Sequence, residues 1–178
     1  MIKYVAFLRG INVGGHRKIL MADLKLMFIK MGLTNPITYI QSGNIVFEST
    51  LTDVNELEKS ITKSIKDTFN FDVPVIIRTA SEMKSVVVNS PFFSPDEDIK
   101  SFHIVFLSDK PNRNNVDELK QVDFGNDQFK IIGQEVHLFV EVPYHKSKLT
   151  NKIIESKLNC SSTTRNWKTV NKLVEMTK

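Results

Sequence analysis

The chain has 178 residues, a single cysteine and a formal charge of +4, enough for one large domain or two small fused ones that bury about 70% of the unfolded surface. Cys160 has no second cysteine to pair with, and neither a signal-peptide pattern nor a long apolar run occurs, which argues against secretion and membrane insertion and for a cytoplasmic protein. Charge is unevenly spread: residues 1–22 carry Lys3, Arg9, Arg17 and Lys18 with no acid, residues 143–178 carry eight bases against Glu155 and Glu175, and the middle is net negative. Such asymmetry bears on partners rather than fold, and it fits either solvated lysines on helix faces or an anionic ligand near the two ends.

Tyr4 to Leu8 is an almost unbroken apolar run and predicts a strand buried on both faces. A glycine-rich loop follows, then a helix with Leu24, Met27, Phe28 and Met31 on one stripe and Gly32 as its stop. Thr38 to Ile40 and Ile45 to Phe47 are β-prone and flank Gln41-Ser42-Gly43-Asn44, a hairpin-turn composition, although one bent strand also fits. Asp53 with Glu56 forms a capping box ahead of the stripe Val54, Leu57, Ile61, Ile65, and Val73 to Ile77 supplies a further strand. The predicted order is β-α-β-β-α-β, a ferredoxin-like half within an α+β fold.

Thr79 with Glu82 repeats the capping-box spacing and opens a short helix to Val88. Residues 91–98, with two prolines and three acids, read as a linker between a first domain of residues 1–90 and a second of residues 99–178. The second half is predicted as β-α-β-β-α-α: a strand at Phe102 to Leu107, a helix near Val116 to Val122, and a hairpin turning at Gly133-Gln134. In its second arm Val136, Leu138, Val140 and Val142 alternate with Glu135, His137, Phe139 and Glu141. Helices from about Ser147 to Leu158 and from about Arg165 to Met176 close the chain.

The loop from Arg9 to Lys18 carries the strongest chemical signal. Gly10, Gly14 and Gly15 free backbone N–H groups to face a ligand, and Arg9, Arg17 and Lys18 add charge-assisted bonds to an oxyanion; tight turning alone would also explain the glycines. Gly10 and Gly15 have P-loop spacing, but His16 and Arg17 stand where lysine and a hydroxyl residue belong, and no dinucleotide fingerprint fits either. Gln41, Ser42 and Asn44 form a polar turn that needs no function to explain it; Ser42 lacks both a nucleophile elbow and a downstream lysine at the required spacing, so no catalytic residue is assigned. Ser147 with Lys148, and Arg165 with Asn166 and Trp167, stand at predicted helix starts, where basic residues oppose the helix dipole and so suggest an anion contact. Trp167 also fits a core stripe with Val170, Leu173 and Val174, and Phe7 and Phe47 read as buried rather than base-stacking. The four histidines show no metal-ligand spacing, His137 reads as part of a solvated strand face, and no metal or cofactor is expected.

Leu8-Arg9-Gly10-Ile11-Asn12-Val13-Gly14-Gly15, Thr38-Tyr39-Ile40-Gln41-Ser42-Gly43-Asn44-Ile45-Val46-Phe47, Ser147-Lys148-Leu149 and Thr164-Arg165-Asn166-Trp167-Lys168-Thr169 together resemble the bacterial Domain of Unknown Function 1697 family, in matching order over nearly the whole chain. The resemblance implies that Arg9, Gly10, Asn12, Gly14, Gly15, Gln41, Ser42, Gly43, Asn44, Ser147, Lys148, Arg165, Asn166 and Trp167 are motif positions, and it implies no reaction. One departure is the short Tyr144-His145-Lys146 ahead of Ser147, where the family pattern is longer and contains glycine.

The leading expectation is therefore a phosphorylated or nucleotide-like anion held by Arg9, Arg17, Lys18 and the Gly14-Gly15 backbone, completed by Lys148 and Arg165 and oriented by Asn12 and Asn44. A nucleic-acid-binding module using the same basic ends, and an adaptor for an acidic protein, are the alternatives.

Overall fold

The computed structural model describes residues 1–94, 96, 98–141 and 143–178. Pro95 and Glu97 of the expected linker, and Val142 of the expected strand pattern, lie outside the described residues. The architecture is mixed α+β, with two four-stranded antiparallel sheets and six α-helices. Contacts within the chain divide it into two units: residues 1–85 joined by 173–178, and residues 86–172.

The first unit runs β1 (Ile2–Leu8), α1 (Met21–Lys30), β2 (Thr34–Tyr39), β3 (Asn44–Ser49), α2 (Val54–Phe69) and β4 (Val75–Thr79), in the sheet order β2-β3-β1-β4. The predicted β-α-β-β-α-β order is the one found. Tyr4 to Leu8 are all fully buried in β1, because the strand sits inside the sheet and its two faces are both covered. On one face Tyr4, Ala6 and Leu8 join Ile45, Phe47 and Ile77 against Leu24, Met27 and Phe28 of α1 and Leu57, Ile61 and Ile65 of α2. Asp53 caps α2 by accepting from the N–H groups of Asn55 and Glu56, as the spacing predicts. Glu58 of α2 accepts from the Ile77 N–H at 2.7 Å, which satisfies a donor on edge strand β4.

Thr79 and Glu82 exchange the bonds of a capping box, and α3 (Ala80–Val88) follows β4 directly. The second unit then runs β5 (Phe102–Leu107), α4 (Arg113–Lys120), β6 (Gln128–Ile132), β7 (Glu135–Phe139), α5 (Asn151–Leu158), β8 (Ser162–Asn166) and the start of α6 (Trp167–Met176), in the sheet order β6-β7-β5-β8. Val105, Leu107, Val136 and Leu138 pack with Leu119, Ile154 and Leu158 on the helix-covered face. On the other face Phe102 and Phe139 meet Phe92, Phe93 and Trp167 in an aromatic cluster, Phe93 stacking on Trp167 at 5.1 Å. Trp167 is thus the core anchor that the apolar stripe indicates.

Strand β8 corrects the sequence reading, which ran a helix from about Arg165. Ser162-Thr163-Thr164-Arg165-Asn166 is polar throughout and carries no apolar period, yet it pairs with β5 from His103↔Asn166 to Leu107↔Ser162. With it the second unit repeats the first. Tyr4↔Thr79 and His103↔Asn166 are matching pairs, as are Val5↔Arg78 and Ile104↔Arg165, and Phe7↔Asn44 and Phe106↔Glu135.

Gly43 fixes how the β2–β3 turn meets β1. Its φ is +82°, and a Cβ there would lie 2.8 Å from the Leu8 Cβ and 2.9 Å from the Ile11 Cδ1, while its carbonyl accepts from the Leu8 N–H at 2.8 Å. Gly32 has a similar φ of +78° with open space around it. Gly43→Ala is expected to destabilise the fold by about 2–4 kcal/mol, backbone strain and overpacking combined, against about 1 kcal/mol for Gly32→Ala. Urea denaturation of the two variants measures the difference.

Candidate functional site

The glycine-rich loop forms a short hairpin finger. Val13 and His16 pair across Gly14 and Gly15, whose φ values of +57° and +78° are those of a tight primed turn, and the His16 N–H donates to the Val13 carbonyl at 3.0 Å. The Asn12 N–H donates to the Arg17 carbonyl at 3.2 Å, closing the base of the finger. Val13 to Lys18 are all exposed.

Asn12, expected to orient a ligand, anchors the finger. Its Nδ2 donates to the carbonyls of Ile19 and Gln41, both at 2.9 Å, and its Oδ1 accepts from the Ile19 N–H at 2.9 Å. Both amide protons are consumed. Asn44 is likewise structural: it is the first residue of β3 rather than part of the turn, fully buried, with Nδ2 donating to the Tyr39 carbonyl and to Ser42 Oγ. The structure therefore joins the glycine-rich loop and the polar turn into one substructure through Asn12, Gln41, Leu8 and Gly43.

Arg17 has a φ of +47°, a left-handed conformation that costs a side-chain-bearing residue about 1–2 kcal/mol. Its guanidinium folds back over Gly10, with Nη1 3.4 Å from where a Gly10 Cβ would stand. Arg9 and Arg17 line one groove of about 390 Å³ with Thr62, Asp72, Val73 and Pro74. The Arg9 N–H donates to the Pro74 carbonyl at 3.0 Å, which ties the loop to the start of β4. Asp72 lies 2.7 Å from Lys66 Nζ, so its charge is already countered.

The C-terminal candidates lie in the second unit, and neither cation stands in the first turn of a helix. Lys148 is exposed and precedes α5, whose cap is Thr150 accepting from the Ile153 N–H. Ser147 is buried; its hydroxyl donates to Asp127 Oδ2 at 2.7 Å and accepts from the Leu149 N–H at 2.9 Å. Arg165 is 8% exposed on β8, and its Nη1 donates to Thr163 Oγ1 and the Thr164 carbonyl. Burial lowers its pKa to about 10. Asn166 caps α6 by accepting from the Thr169 N–H at 2.8 Å. The dipole misfit that singled out Arg165 and Lys148 is therefore absent.

Three residues escaped the sequence reading. Arg78 is buried on β4 and donates from Nη1 to the Ile77 carbonyl, the same contact with the preceding residue that Arg165 makes; an arginine one residue before a helix cap, in Arg78-Thr79 and in Arg165-Asn166, was the available signal. His103, and Tyr144 stacked on it at 4.5 Å, are the others. His137, expected on a solvated face, is only 2% exposed. It lies in one cross-strand row with Lys130, Ile104 and Arg165, on the face away from α4 and α5. Desolvation and the Lys130 charge lower its pKa to about 4, and desolvation lowers that of His103.

Among the described residues no three His, Cys, Asp or Glu side chains converge as a metal ligand set. No described helix is long and apolar enough to cross a membrane. Burial, with Asp109 and Glu155 nearby, raises the Cys160 thiol to about 11, so thiolate chemistry is disfavoured at neutral pH.

Two outcomes follow from this geometry. Asn12→Ala removes three hydrogen bonds and is expected to cost about 2–3 kcal/mol, with faster hydrogen exchange at the Ile19 amide as the local readout. The histidines give a pH dependence with a fixed sign: the unfolded chain binds protons that the folded one refuses, so stability is full above about pH 6.5 and falls as pH drops toward 4. For His137 the loss is on the order of 2–3 kcal/mol, and His137→Leu should flatten that part of a denaturation profile taken against pH.

A family model described as "Protein of unknown function (DUF1697)" matches residues 1–137. No curated protein matches the chain. Among solved structures, the conserved bacterial protein SP0830 from Streptococcus pneumoniae is similar in fold, with a TM-score of 0.80, 24% identity, and 99% of each chain covered. With more than half of its length matched, the chain belongs to the family of proteins of unknown function designated DUF1697.

Proposed function

We propose that the first unit binds a phosphorylated or nucleotide-like anion in the groove lined by Arg9 and Arg17, with Lys18 on the exposed finger beside it. The observation that carries this reading is the convergence of two guanidinium-bearing residues on one groove whose acid, Asp72, is already engaged by Lys66. Arginine suits such a site because its planar fork donates two parallel bonds to an oxyanion. The left-handed backbone of Arg17 supports the reading too, since strain of that kind concentrates where a side chain must be aimed. Lys148 and Arg165 are not needed for it. A cytoplasmic setting is in keeping with one cysteine whose thiol is held protonated.

Calorimetric titration with nucleotides and phosphosugars tests the reading. Arg9→Ala and Arg17→Ala are each expected to weaken binding about tenfold or more, the worth of one charge-assisted bond. No heat from any of these ligands with the unmutated chain overturns it.

The exposure of the whole finger from Val13 to Lys18 favours a second reading, contact with a nucleic-acid backbone. That reading requires affinity that falls steeply as salt rises, spread over several phosphates. A gel shift with single- and double-stranded DNA and RNA at low salt decides it.

A further inference from the structure

Helices α1 and α2 cover the same face of the first sheet and bury the same core, yet their outward faces differ. The exposed residues of α2 are all polar or charged, among them Glu56, Lys59, Lys63 and Lys66, as a solvent-facing helix requires. On α1, Ala22, Leu26 and Ile29 are exposed at the spacing i, i+4, i+7, so they form one ridge opposite the buried Leu24, Met27 and Phe28. Leu26 is 53% exposed and Ile29 49%. Helix α1 is thus apolar on the face that its own fold leaves open, and apolar side chains aligned in this way mark a contact surface where scattered ones do not.

Beside this ridge runs a groove of about 590 Å³ between α1 and α2, to which Met27, Met31 and Phe69 contribute apolar surface. Asp23 and Lys30 stand on its α1 side, in the first and last turns of the helix. Each complements the dipole of α1 at its own end, and neither makes an ion pair among the described residues. This arrangement is complementary to its own reverse. When a second α1 runs antiparallel to the first about a two-fold axis at Leu26, the small Ala22 of each copy faces the large Ile29 of the other, and Asp23 faces Lys30 at both ends.

We propose that the outer face of α1 is a self-association surface, on which a second copy of this chain lays its own α1 antiparallel, each ridge seated in the groove beside the other. The occupant is a second copy because the reversed helix supplies a size match and two charge matches at once, which an unrelated helix supplies only by coincidence. Extension of the sheet at edge strand β2 is a poorer route, since Pro36 and the irregularity between Thr34 and Ile37 interrupt that edge. One short helix from each copy makes a contact at the low end of interface areas, so the dimer is concentration-dependent. The surface shares no lining residue with the groove of Arg9 and Arg17 and does not rest on the anion-binding reading.

Sedimentation velocity of the full chain, from low micromolar to millimolar concentration, tests this. The mass is expected to rise from 20.4 kDa toward twice that value as concentration increases. Leu26→Glu, a change at an exposed position, should keep the circular dichroism spectrum and weaken association about thirtyfold or more, because the axis brings the two carboxylates together. Asp23→Lys and Lys30→Asp should each weaken self-association about tenfold through like-charge contacts, and an equal mixture of the two variants should recover it, since each then meets its opposite. A monomer at every concentration overturns the proposal, whichever other protein α1 then binds. So does a dimer that Leu26→Glu leaves intact, and so does a mixture that associates no more tightly than its components.

Discussion

The need to cover a strand from both sides organises each unit of this chain. Tyr4 to Leu8 and Phe102 to Leu107 are apolar at nearly every position, so neither segment can lie at a sheet edge or face water on alternate residues. Each therefore becomes an inner strand with a neighbour on either side. In the second unit helices α4 and α5 cover one face, and the cluster built on Phe92, Phe93 and Trp167 packs on the other. The more polar segments go to edge strands such as β8, to turns and to the connections between elements, and the polar side chains that stay buried, among them Asn44, Arg78, His137 and Arg165, lie on the strands themselves.

That sorting explains how well the elements could be read. Apolar period and capping chemistry marked β1, α1, α2, α3 and β5, because in those segments local preference and tertiary burial demand the same residues. Strand β8 was hidden because an edge strand needs only backbone pairing and tolerates threonine, serine and arginine; its two adjacent β-branched residues, Thr163 and Thr164, were the sole hint. Missing β8 also hid the repetition of the first unit by the second. Sequence similarity between the halves is slight, and only strand pairing exposes the match between Arg78 and Arg165.

The candidate site was less readable, for a different reason. A glycine, asparagine or serine serves equally well in building a turn and in holding a ligand, and only partners decide which. Asn12, Asn44, Ser147 and Asn166 all proved to hold backbone in place. Arg9 and Arg17 meet at one groove because the loop folds back on itself, which no spacing rule encodes.

The clamp at Asn12 bears on the speed as well as the strength of any encounter. A finger whose base is already tied to Ile19 and Gln41 loses little chain entropy when its tip is captured. Under the proposed function, its positive charges would be presented before contact instead of being gathered by it, and association would be governed more by long-range attraction than by rearrangement.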